Sequence, residues 1–160
     1  MATQNGSPTD NQAPALNVLA QYIKDLSFEN PNAPRSLSNP GGQPDVKIQI
    51  NVNARPLQAE EFEVELKIDG SATAGGSTLF AFDLVYGGIF RVRNIPEQSL
   101  QAVVLIECPR LLFPFARQIV ADAVRGGGFP PLMIDPVDFA ALYQQRMAAE
   151  AQRLATAGQA

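Results

Sequence analysis

The sequence predicts an α+β fold in which an antiparallel sheet comes first along the chain and helices follow it. Between residues 46 and 92, apolar and polar residues alternate, which is typical of strands with one buried and one wet face. Beyond residue 97, apolar residues instead recur at helical spacing. Strands followed by helices are characteristic of the α+β class.

The first ordered segment, residues 16–29, fits two kinds of structure. Its apolar residues match a helical stripe, but they also alternate, and the β-rich end Tyr22–Phe28 favours a strand. In a strand, Asp25, Ser27 and Glu29 would share one face.

Three further strands are predicted after a long loop, residues 30–44, that is rich in proline and glycine. They cover residues 46–52, 61–69 and 78–92, with a short hairpin connection near Gly75-Gly76. Gly87-Gly88 predicts a bulge or bend inside the last strand.

The helical part contains two prolines, Pro109 and Pro114, which predict a kink or two separate pieces between residue 97 and residue 123. The run Gly126-Gly127-Gly128 predicts the end of that helix. Asp135-Pro136 predicts the cap and first turn of a final helix.

The chain organisation predicted from these elements is a disordered N-terminal tail over residues 1–14, a single domain over 15–154 and a frayed tail over 155–160. The N-terminus lacks the charged and apolar regions of a signal peptide. No window of the sequence approaches about 18 apolar residues, so we expect a cytoplasmic protein without membrane insertion.

Composition argues against most catalytic chemistry. The chain has no histidine and one cysteine, which excludes a Ser-His-Asp triad, a Cys-His pair and an internal disulfide. The net charge of -4 argues against general nucleic-acid binding. The acidity is concentrated in residues 1–90, which hold ten acids and five bases and would suit docking of a basic partner as well as ordinary solubility.

Three possible chemical sites have simpler interpretations. Glu61, Glu63 and Glu65 could act as acid and base, but alternation already explains them as a solvated strand face. Residues 70–75 have the glycine spacing of a phosphate loop, but Gly76 stands where lysine is required. Cys108 has the apolar context of a buried structural cysteine, although Arg110 nearby could lower a thiol pKa.

Aromatic and apolar residues in the last predicted strand raise the question of subunit association. Phe80, Phe82, Leu84 and Tyr86 share one parity, while Val85 makes the other face mixed. A sheet covered on both faces indicates either association of subunits or burial on both sides within one chain.

Residues 15–150 resemble the SecB family of bacterial protein-export chaperones. The segment Tyr22–Pro34 is similar to that family's signature Y-x-K-D-[IL]-S-F-E-x-P-x-A-P. The order of the other matching segments adds specificity: they are residues 87–90, 108–109, 112–117, 128–132 and 136–139.

The resemblance implies a four-stranded antiparallel sheet with C-terminal helices on one face, assembling as a homotetramer, a dimer of dimers. It also implies an ATP-independent holdase that binds unfolded secretory precursors, its clients, in the cytoplasm and delivers them to the motor SecA. No catalysis, cofactor or metal is expected. A small-molecule-binding α+β dimer is the alternative.

The resemblance also implies roles for particular residues. Asp25, Glu29 and Asp83 match SecA-docking positions. The loop over residues 30–44 matches a wall of the client groove, and Phe82, Leu84 and Tyr86 match positions near the dimer–dimer contact. The residues expected to line the groove are Val46, Ile48, Ile50, Phe139, Leu142 and Tyr143.

Overall fold

A computed structural model of the chain describes residues 13–158. The predicted disorder of the N-terminal tail therefore lies outside the described residues up to residue 12, and so do residues 159–160 of the predicted C-terminal tail.

Four long antiparallel strands form one sheet, as predicted. They are β1 (Ala15–Glu29), β2 (Asp45–Gln58), β3 (Glu61–Ala74) and β4 (Ser77–Arg93). Their order across the sheet is β1-β4-β3-β2, so the first two strands of the chain are its two edges. The connection over residues 30–44 runs from one edge to the other and contains a short helix, α1 (Arg35–Ser38).

The ambiguous first segment is a strand, and its irregular alternation has a structural cause. β1 pairs with β4 along its whole length, but the register shifts between Val18 and Ala20 and again between Ile23 and Asp25. Each shift places an extra residue in β1, so the alternation of faces restarts there. Lys24, which breaks the apolar alternation of the sequence, is the extra residue at the second shift.

The predicted bulge at Gly87-Gly88 is wrong, because both glycines keep regular pairing with Glu65 and Val64 of β3. They are required by close packing instead. A Cβ atom on Gly87 would lie 2.8 Å from the ring of Tyr22, and one on Gly88 would lie 2.8 Å from the ring of Phe90.

Of the two alternatives predicted, a kink or two separate pieces, the second is wrong, because one helix, α2 (Glu97–Gly126), covers the whole segment. Both prolines lie inside it, although each removes one backbone hydrogen bond. Pro109 is fully buried, so the burial of its ring in the core helps to offset that loss. The helix ends at the predicted glycines, with Gly128 at a φ of 92°.

By length and composition α2 could cross a membrane, contrary to the expectation from the sequence. Its apolar side packs instead on the sheet, where ten of its residues are buried. This is the environment of the core helix of a two-layer domain.

The last helix, α3 (Phe139–Ala157), begins three residues after the predicted first turn and extends beyond the predicted domain end at residue 154. Asp138 is its N-cap, and its Oδ1 accepts a hydrogen bond of 3.0 Å from the backbone N–H of Ala141. Asp135 therefore does not cap the helix.

The core lies between one face of the sheet and α2, which we call the helix side. Residues of β3 and β4 with the same parity supply most of it. The opposite face, the open face, carries no helix of the described part of the chain. The fully buried side chains on the helix side include Val64, Leu66, Ile68, Leu84, Phe90, Leu112 and Val120.

Candidate polypeptide groove and docking face

Two adjoining cavities open on the helix side along the edge strand β2. The larger has a volume of about 520 Å³ and is bounded by β2, by the N-terminal half of α2 and by α3. The smaller, of about 280 Å³, continues toward the C-terminal end of β2. Leu105 and Arg146 line both cavities, so we treat them together as one feature, the β2 groove.

The structure brings together four of the six predicted groove residues. Ile50, Phe139, Leu142 and Tyr143 line the larger cavity. The other two, Val46 and Ile48, lie on the same face of β2 but outside both cavities, closer to the start of the strand. Val46 is 39 % exposed and extends the apolar surface of the groove along this edge.

Sequence reasoning missed the groove residues contributed by α2 and the polar residue of α3. Leu105 and Val104 belong to the longest apolar run of the chain, which marks them as buried but not as lining a cavity. Arg146 gives no sequence signal, because its partner is a backbone group. Its Nη1 donates a hydrogen bond of 2.7 Å to the carbonyl oxygen of Val52 in β2.

The open face carries a charged network that spans the whole sheet. Glu63 of β3 is only 6 % exposed and accepts hydrogen bonds from Tyr22 and Lys24 of β1 and from Arg55 of β2. The distance from Arg55 Nε to Glu63 Oε1 is 2.7 Å, and that from Lys24 Nζ to the same oxygen is 3.2 Å. Lys24 also contacts Glu65.

Hydrogen bonds to the carboxylate, first from Tyr22 and then from Arg55, lower the pKa of Glu63 to about 2. Burial and the neighbouring carboxylate raise the pKa of Tyr22 to about 12, so its hydroxyl keeps its proton and remains a donor. Gly87 of β4 allows this arrangement, because the ring of Tyr22 crosses above it on the way to β3. The network therefore joins both edge strands to the centre of the sheet.

The charged network bears on whether the carboxylates of β3 could act as acid and base. Glu61 pairs with Arg91 at 2.9 Å, and Glu63 and Glu65 are bound by cations as described. Their occupied oxygens agree with a polar strand face rather than with a pair of free acid and base groups. Cys108 is fully buried, and burial raises the pKa of its thiol to about 12, so the interpretation as a structural cysteine is confirmed.

The three acidic residues predicted for docking all lie on the open face beyond this network. In the β1–β4 register, Glu29 is opposite Ala81, Ser27 opposite Asp83 and Asp25 opposite Val85, and directly opposite residues point to the same face. All three acidic side chains are exposed. Among residues 13–158, none of them forms an ion pair.

A fourth acid belongs to the same surface. Asp69 of β3 lies directly opposite Asp83, and two like charges at this spacing repel each other unless a partner neutralises them. The alternation of residues 61–69 carried this signal, since it places Asp69 on one face with Glu63 and Glu65. We call Asp25, Glu29, Asp69 and Asp83 the acidic patch.

Phe82, Leu84 and Tyr86, which were predicted near the dimer–dimer contact, are buried within the single chain. Their exposed fractions are 2 %, 0 % and 8 %, because they face the helix side. The hydroxyl of Tyr86 donates a hydrogen bond of 3.0 Å to Gln21 of β1. These side chains belong to the core of the single chain, and their position near a contact between subunits stays a prediction.

Comparison with known families and proteins adds an independent line of evidence. The model of the family described as "Preprotein translocase subunit SecB" matches residues 9–150. The protein-export protein SecB of Azorhizobium caulinodans is 85 % identical over 160 residues, all of both chains. That of Xanthobacter autotrophicus is 77 % identical and covers 96 % of this chain and 99 % of its own.

Among solved structures, the fold is similar to a SecB-like chaperone of Mycobacterium tuberculosis determined in complex with a ChAD peptide from an antitoxin. The TM-score is 0.58 at 18 % identity, and the match covers 76 % of this chain and 90 % of the other. At this identity the likeness concerns the fold, and it extends the sheet-and-helix architecture to a distant relative.

Proposed function

This chain belongs to the SecB family of protein-export chaperones, and from that premise we propose that it holds unfolded precursor polypeptides in the β2 groove without ATP. The observation that supports the groove is its shape and lining: two adjoining cavities along an edge strand, whose walls combine apolar side chains such as Leu105, Phe139 and Leu142 with polar ones. A holdase must accept many sequences, and broad apolar surface next to a strand edge suits that task better than a fixed set of catalytic groups. Membership of this family favours the holdase over the small-molecule-binding dimer.

The groove proposal is tested by a charge placed in its wall. Leu142→Asp buries a carboxylate in the larger cavity, whereas Leu154→Asp makes the same change at a position of α3 that is 75 % exposed. We expect Leu142→Asp to weaken suppression of aggregation of a denatured precursor in the absence of ATP and Leu154→Asp to act like the unmodified protein. Equal activity of both variants would contradict the groove assignment. Failure of the unmodified protein to suppress aggregation would contradict the holdase function itself.

We further propose that the acidic patch docks the translocation motor SecA. Three of its carboxylates are exposed and that of Asp69 is half-buried. None of the four forms an ion pair among residues 13–158, and they lie on the face opposite the β2 groove. A basic partner surface could therefore approach without competing with the client.

Charge reversal tests this division. Replacing Asp25, Glu29 and Asp83 by Lys should weaken SecA binding and leave client binding unchanged. The SecA affinity of the unmodified protein should fall as salt is raised, because salt screens the attraction of the acidic patch to a basic partner. Asp122→Lys on the outer side of α2 provides a control with one charge reversal of the same kind away from the patch, although it also breaks a pair with Arg125. Loss of client binding in the triple variant would contradict the assignment of separate faces.

Assembly as a homotetramer, a dimer of dimers working in the cytoplasm, completes the proposal. The support is the edge strand β1, which exposes the apolar side chains Val18, Leu19, Ile23 and Leu26 by 39 to 49 %. An unpaired edge with this much apolar surface favours pairing with another chain. Light scattering should give the mass of four chains, and a stable monomer at micromolar concentration would contradict it.

A further inference from the structure

The two cavities of the β2 groove meet at two side chains, Leu105 and Arg146, and Arg146 is the polar one. It lines both of them, and its Nη1 lies 2.7 Å from the carbonyl oxygen of Val52 on the edge strand β2. The guanidinium therefore stands across the passage through which one extended segment would have to run to occupy both cavities.

The helix that carries Arg146 is otherwise lightly attached to the sheet. Phe139 is the one buried residue of α3, while Leu142 and Tyr143 are only half-buried. Among residues 13–158, the bond from Arg146 to Val52 is the only side-chain hydrogen bond between α3 and the sheet. Because α3 packs mainly on α2 rather than on the sheet, this bond is its polar link to the edge strand β2.

We propose that Arg146 is a latch that divides the β2 groove when no client is present and must release Val52 before an extended client segment can span both cavities. This inference rests on the proposed function of the groove. It makes Arg146 a residue that selects for the length of the bound segment, rather than one that contributes apolar contact.

The release is made easier by the surroundings of the guanidinium. Arg146 Nε lies 3.9 Å from Glu150 Oε1 on the next turn of α3, and Glu97 lines the adjoining cavity. A guanidinium that leaves Val52 therefore keeps acidic neighbours and water. An extended polypeptide along an edge strand offers backbone N–H groups, which can replace the guanidinium as donors to the freed carbonyl.

The test compares two client lengths on the full-length protein. The probes are uncharged fluorescent peptides of alternating apolar and polar residues. One has about six residues and extends roughly 20 Å, which suits one cavity, and the other has about 20 residues. Arg146→Met keeps the length of the side chain but removes the donor. Arg153→Met makes the same change on the same helix at a residue without a bond to the sheet.

We expect Arg146→Met to tighten binding of the long peptide by about three- to tenfold, the range for one partly exposed charge-assisted hydrogen bond. The affinity for the short peptide should change by less than about twofold, because the short peptide does not need to displace Arg146. Arg153→Met should change neither. Equal effects on both lengths, or weaker binding of the long peptide, would overturn the latch.

Amide hydrogen exchange of α3 without any peptide separates the latch from the function of the groove. Exchange over residues 140–154 should be faster in Arg146→Met than in the unmodified protein or in Arg153→Met. Unchanged exchange refutes the latch whatever the peptides do. If exchange accelerates but no variant binds either peptide, the latch stands and the proposed client site fails.

Discussion

Replacing Glu63 by Gln is the sharpest test of the network that crosses the open face. The substitution keeps the size of the side chain and removes its charge, so the hydrogen bonds from Lys24 and Arg55 lose their ionic partner. Because the site is 6 % exposed, water cannot replace those interactions fully.

The expected magnitude follows from the pKa of Glu63, which the folded chain lowers from its usual 4.5 to about 2. That difference corresponds to about 3 kcal/mol of stabilisation of the ionised form. Lys24 and Arg55 keep 43 % and 64 % of their side chains in water, which screens part of the attraction. We therefore expect Glu63→Gln to lower the free energy of unfolding by about 1.5 to 2.5 kcal/mol at pH 7.

The pH dependence gives the result its diagnostic value. A carboxyl whose pKa is lowered in the folded chain contributes its full stabilisation above the pKa of the unfolded chain, and the contribution disappears as the pH falls toward the lower value. The difference between the two proteins should thus be constant from pH 7 down to about 5 and should shrink between about 4.5 and 2.

Urea unfolding at matched protein concentration, measured at pH 7 and pH 3, provides the assay. Glu107→Gln is the control, because Glu107 makes one exposed ion pair with Arg110. Its removal should lower the free energy of unfolding by less than about 0.5 kcal/mol. A loss for Glu63→Gln no larger than that of the control would refute the reasoning. So would a loss that is the same at both pH values.

Three further predictions concern the packing of single residues. Gly87→Ala should lower the free energy of unfolding in urea by about 1 to 3 kcal/mol, because its Cβ would meet the ring of Tyr22. The control Gly126→Ala, at a position with open space around it, should be neutral or stabilising. Equal effects of the two substitutions would show that the ring moves freely. Cys108, whose buried thiol has a pKa near 12, should resist alkylation at pH 8 until urea unfolds the chain, and rapid labelling of the native protein would contradict its burial. Asp138→Ala should lower stability by about 1 kcal/mol and speed amide exchange in the first turn of α3, and an unchanged exchange rate would show that the cap is not needed.

Periodicity was enough to predict the two central strands, β3 and β4, because each buries one face and the alternation records it. It was also enough to place Phe139, Leu142 and Tyr143 on one side of a helix. Their lining of a cavity agrees with the face that the spacing indicated.

The errors have a common origin, which is that tertiary packing overrides local signals. Pro109 stays within a helix since its ring is buried in the core. Gly87 marks the passage of the Tyr22 ring rather than a bulge, and no local pattern reports a neighbour 65 residues away. From the sequence alone, Phe82 and Leu84 were candidates for subunit association, because the sequence does not show that α2 covers them.

Strand β2 links the two faces of the molecule, and its residues explain how both can work at once. Ala54 and Pro56 line the smaller cavity, while Arg55 between them reaches Glu63 on the open face. The edge strand is thus held from one face by a buried carboxylate and from the other by the guanidinium of α3. The first bond lies within the sheet, whereas the second is the one that a client would displace under the proposed latch. Binding of a client in the β2 groove would therefore leave the strand pairing that positions the acidic patch unchanged. A partner could then dock on the open face whether or not a client is bound.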